Sequence, residues 1–126
     1  MTAREIREHF MSVADWVDLT KTVDRIIVGD PETEVSRILV SWISSFDTVR
    51  AAVDRGCQML ITHEPTFWAH RNELAGVIWE PGSQAQALAA RKKEYIEEHG
   101  IVGAGGKLAQ GRSAVGGRLE IEYIAQ

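Results

Sequence analysis

Cysteine is almost absent from this chain: Cys57 is the single one among 126 residues. No disulfide can form within the chain, and the cytoplasm is the expected compartment. Long hydrophobic runs are missing as well. None approaches the roughly 20 residues of a membrane span, and the opening Met1-Thr2-Ala3-Arg4-Glu5-Ile6-Arg7-Glu8-His9 lacks the apolar segment of a signal peptide. Positive charge is thin. Lys and Arg number 14 against 18 Asp and Glu, a net charge of −4, and they form no dense cluster. Nucleic acid and anionic membranes are therefore not expected as partners.

What is present suits a soluble globular protein, with 44% hydrophobic and 25% charged residues. The length fits one core, so a single α/β domain over residues 1–126 is expected. Trp16, Trp42, Trp68 and Trp79 are many for this length. Trp42 is assigned to the core, and the others are shared between core, pocket wall and subunit contact.

The elements follow from spacing. Thr2 and Glu5 form a capping box, and Ile6, Phe10, Val13 and Val17 make one apolar stripe, which predicts a helix to Ala14 or Trp16. His9 on that helix reads as a solvated histidine. Arg25-Ile26-Ile27-Val28 reads as a strand, closed by the turn Gly29-Asp30-Pro31. Ile38-Leu39-Val40 and Met59-Leu60-Ile61 are continuously apolar, the pattern of strands buried on both faces. Between them Ser44 or Ser45 can cap a helix bearing Phe46, Val49, Ala52 and Val53, and Gly56 ends it. Strand, helix and strand make a βαβ unit, parallel and right-handed. The fold class is thus α/β, a layered sandwich on a mixed sheet with a central parallel βαβ unit. Cys57 reads as a small buried thiol.

Ser83 and Gln86 predict a second capping box, opening a helix that Gly100 ends; its Lys92, Lys93, Glu94, Glu97 and Glu98 cluster reads as a solvated face. Ile101-Val102 begins a strand that is expected to fail at Gly103-Ala104-Gly105-Gly106, a flexible loop. Lys107 there does not fit the phosphate-binding loop pattern. Leu119, Ile121 and Tyr123 alternate with Glu120 and Glu122, the mark of a half-exposed strand near a sheet edge.

The chemistry gathers where the second buried strand stops. His63 and Glu64 follow Thr62 at once, and Pro65 forbids the strand from continuing. An imidazole beside a carboxylate can hold a divalent metal or move a proton. In open α/β sheets ligands collect beyond the carboxyl ends of the strands, which here deliver Ser41 from one strand and His63 and Glu64 from the other. Phe67 and Trp68 are candidates for an apolar pocket wall, and His70 for a further ligand if the chain folds back.

These residues carry a resemblance to the first lobe of the Nif-three-like family of dinuclear-metal-centre proteins, often described as homologues of GTP cyclohydrolase I type 2 or as metal-dependent hydrolases. The resemblance rests on the capped first helix, the Ile38–Ser41 strand, the Phe46–Arg55 helix and Ile61-Thr62-His63-Glu64-Pro65-Thr66-Phe67. The family's apolar strand ends in His-His-Pro with a following aromatic, and Glu64 stands where the second histidine would. The resemblance implies two similar lobes, a ring-shaped hexamer, and two divalent metals between the lobes with His63 and Glu64 among their ligands. Glutamate keeps a ligand and shifts preference towards harder ions. The glycine stretch after Val102 departs from the family, whose strand continues there towards another ligand. The second lobe is expected to be absent from this chain.

Two functions follow as expectations. One is a divalent-metal protein (zinc, manganese, iron or magnesium) that hydrolyses a small molecule such as a nucleotide or phosphoester. The other is a non-catalytic oligomeric scaffold or binding domain with an incomplete metal site.

Overall fold

The computed structural model describes residues 1–67, 82–105 and 120–123. Helix α1 is Ala3–Val13, and strands β1 (Ile26–Val28) and β2 (Arg37–Ser41) follow. Then come α2 (Phe46–Asp54), β3 (Met59–Thr62), α3 (Gln84–Glu98), β4 (Val102–Gly105) and β5 (Glu120–Tyr123). The strands form one sheet in the order β1-β4-β3-β2-β5. β2 lies parallel to both β3 and β5, β3 lies parallel to β4, and β1 runs antiparallel to β4. This is the mixed sheet with a central parallel βαβ unit that the apolar runs predict.

Alternation along the strands divides the core into two layers. Ile38, Met59, Ile61, Val102 and Ala104 face α1, meeting its Ala3, Ile6 and Phe10. Leu39 and Leu60 face the other way, onto Val49 and Ala52 of α2 and Ala89 and Ile96 of α3. Helices therefore cover both faces of the sheet, and full burial of each large aliphatic side chain contributes about 1.5–3 kcal/mol. Cys57 is buried in the second layer, as a structural thiol should be.

The helix ends follow their caps. Thr2 and Glu5 form the reciprocal capping box, and the Ser45 hydroxyl accepts from the Thr48 amide to open α2. Ser83 accepts from the Gln86 amide, but Gln86 reaches back to the Gly82 amide rather than to Ser83, so this box is only half formed. Asp30 accepts from the Glu32 amide, the turn-opening role expected before a proline.

Three expectations fail in the frame. The α1 stripe stops at Phe10, because the helix ends at Val13, which is exposed, and Val17 lies beyond it. Trp42 is no core residue: it is 55% exposed, since it falls just past the end of β2, where the sheet offers no covering layer. The strand after Ile101 also does not fail. It runs through Gly103 and Ala104 to Gly105, buried throughout. Glycine is needed at position 103, where a Cβ would lie 2.7 Å from Val28 Cγ1. The remaining glycine stretch and Lys107 lie outside the described residues.

Candidate functional site

Parallel pairing of β2 with β3 sets Ser41 beside Thr62. The ladder runs on past both strands: the His63 amide donates to the Ser41 carbonyl (3.3 Å) and the Glu64 amide to the Trp42 carbonyl (2.9 Å). The Thr62 hydroxyl donates to the Glu64 carbonyl at 3.0 Å, which holds the turn against the strand end. Position 42 thereby becomes the neighbour of position 63. The Trp42 indole stacks flat on the His63 imidazole, with centroids 3.9 Å apart and planes 8° from parallel.

His63 Nδ1 lies 3.5 Å from Glu64 Oε1. That contact is not a hydrogen bond, because the same Nδ1 is buried and makes none among the described residues. The side chains are 28% and 34% exposed, so the pair is sheltered yet reachable from solvent. A buried ring nitrogen without a partner, beside a carboxylate, is a donor set suited to a cation or a shared proton. Among the described residues no third His, Cys, Asp or Glu joins them in a metal-binding group.

Ser41 sits at the strand end as expected, but its buried hydroxyl donates to the Ile43 carbonyl at 2.9 Å and is spent on its own loop. Phe67 is buried in the layer beneath α2 and α3 and also lines a cleft of about 280 Å³ with Ser45, Phe46, Ala85, Leu88, Ala89 and Lys92. Trp68 and His70 lie outside the described residues. The structure thus joins His63 to Glu64, and it sets Phe67 on a different wall.

Two residues escape the sequence reading. Trp42 was legible in principle, since a βαβ unit with Ser41 opposite Thr62 makes positions 42 and 63 the next pair. Lys92 is not part of a solvated face. It is 7% exposed, and its ammonium donates to the Ser44 carbonyl at 2.8 Å, 5.8 Å from the centre of the Phe67 ring. Burial lowers its pKa from 10.5 to about 8. Its charged neighbours in sequence concealed this, because the helical period places position 92 on the same side as Ala89 and Ile96.

A family model described as Duf34/NIF3 (NGG1p interacting factor 3) matches residues 1–95. Among solved structures, reduced HcgD from Methanocaldococcus jannaschii is 25% identical with a TM-score of 0.58, over 83% of this chain and 39% of that one. A Bacillus cereus protein related to NIF3 is 18% identical with a TM-score of 0.57, over 83% of this chain and 27% of its own. Staphylococcus aureus protein SA1388 is 20% identical with a TM-score of 0.52, over 83% and 28% respectively. The last two likenesses bear on fold alone. The chain spans well under half the length of each. No curated protein matches it.

Proposed function

The chain belongs to the Duf34/NIF3 family, and from that premise we propose that it binds a divalent metal ion through His63 and Glu64. The observation that carries this reading is the buried Nδ1 of His63, without a hydrogen-bond partner among the described residues and 3.5 Å from the Glu64 carboxylate at the carboxyl end of a parallel strand. Zinc, manganese, iron and magnesium are all compatible with one imidazole and one carboxylate. An ion held by His63 and Glu64 would supply Lewis-acid chemistry, of the kind that activates water towards a nucleotide or phosphoester.

The chain's own residues do the rest. Glu64 offsets the cation's charge and can take up a proton at Oε1. Trp42 covers one face of the imidazole and holds the ring against rotation. A catalytic zinc normally has three protein ligands, so this reading requires donors beyond His63 and Glu64, which another copy of the chain could bring. That requirement agrees with a homo-oligomer, a hexamer by family resemblance.

The competing reading is a scaffold or binding domain of the same fold without a working metal site. Bound metal decides between them. After a wash with weak chelator, elemental analysis should find about one ion per chain, and His63→Ala and Glu64→Gln should each weaken retention at least tenfold. Metal far below stoichiometry in all three proteins would favour the scaffold. Light scattering gives the assembly state, with a mass several times the 14.0 kDa chain expected.

A further inference from the structure

Lys92 has no role in the proposed metal chemistry, yet its setting is unusual. Burying an ammonium carries a large desolvation penalty unless a carboxylate or several hydrogen bonds answer it. Among the described residues no carboxylate pairs with Lys92. Its partners are one neutral carbonyl, that of Ser44, and the face of the Phe67 ring. The ammonium has three donors, so capacity remains. The same side chain lines the cleft between α2 and α3, whose other described walls are Phe46, Phe67, Ala85, Leu88, Ala89 and Ser45. Leu88 is 55% exposed at this cleft, an apolar side chain left in solvent.

We propose that the cleft between α2 and α3 is a binding site for a small organic monoanion, with an aromatic or branched apolar body on Phe46, Phe67 and Leu88 and a carboxylate head on Lys92. Charge decides the head group, because the one ionisable residue among the described walls is a cation held away from bulk water. Size decides the body: about 280 Å³ suits a ligand of one or two rings and falls below a nucleotide-sized pocket. Ser45 also lines the cleft, but its hydroxyl accepts from the Thr48 amide at 3.1 Å and shares a hydrogen bond with the Thr48 hydroxyl at 2.9 Å, so Lys92 is the anchor. This site does not rest on the metal reading, and removal of His63 should leave it intact.

The test uses the full chain, 2-naphthoate and its uncharged analogue 2-naphthamide, with binding followed by chemical-shift changes of the α2 and α3 amides. The acid should bind at least about tenfold more tightly than the amide, the difference expected of a hydrogen bond to a buried charge. Lys92→Met keeps the apolar stem and removes the charge, so it should erase that preference while the amide still binds. Ala85→Trp, which fills the cleft, should abolish binding of both without loss of the native amide spectrum. Equal affinities for acid and amide would overturn the proposal. So would an acid preference that survives Lys92→Met, or acid-induced shifts that map away from α2 and α3.

Discussion

A histidine on a strand end has freedom that a ligand or proton carrier must not keep, and Trp42 removes it. The indole occupies one face of the His63 ring at 3.9 Å, and its backbone carbonyl fixes the Glu64 amide at the same time. Trp42→Ala should therefore weaken metal retention by about tenfold, as loss of an orienting neighbour does, whereas Trp42→Phe, which can still stack, should lose only a few-fold. Isothermal titration with Zn²⁺ or Mn²⁺ separates the two. Lys92 offers a prediction of opposite kind. Its folded pKa of about 8 lies below its ordinary 10.5, so between those pH values the unfolded chain holds more protons and stability rises with pH. Below pH 8 the charge is retained in the folded state at a cost in stability, which is relieved as the pH rises through that window. Lys92→Met should flatten the rise in urea midpoint between pH 7.5 and 10, and an unchanged slope would show that another group controls it.

At the scale of elements, β4 is the test of packing. Gly103→Ala should destabilise by about 1–3 kcal/mol, because its Cβ would meet Val28 Cγ1 at 2.7 Å. Adding Val28→Ala should recover part of that loss in urea melts. The same strand shows where sequence reasoning reaches its limit. Continuous apolar runs declared β2 and β3, and Ser45, Gly56 and Ser83 punctuated the helices, so the βαβ unit and the position of His63 and Glu64 could be read directly. Gly103 and Ala104 carry no β propensity of their own; they are a strand because β1 and β3 flank them, a tertiary cause that local pattern does not encode. Trp42 misled for the reverse reason. Its hydrophobicity argued for burial, while its place one residue past β2 put it beyond the covering helices. Lys92 was hidden by the charges beside it.

Taken as a whole molecule, the described residues form one sheet covered on both faces by helices, and no described helix is long and apolar enough to cross a membrane. Exposed Trp16 and Leu19 beyond α1 add apolar surface of the kind an assembled protein covers. If the chain assembles through them, Trp16→Glu should lower the native mass by light scattering while circular dichroism stays unchanged. The sheet order has its own consequence, in time rather than space. β2 pairs with β3 across a short local crossover, but its other edge waits for Glu120–Tyr123. A nascent chain therefore completes the βαβ unit long before it synthesises the strand that seals β2. Through that interval β2 is a bare template of amides and carbonyls, open to the equivalent strand of a neighbouring nascent chain, which makes the folding yield of this protein depend on how crowded its own synthesis is.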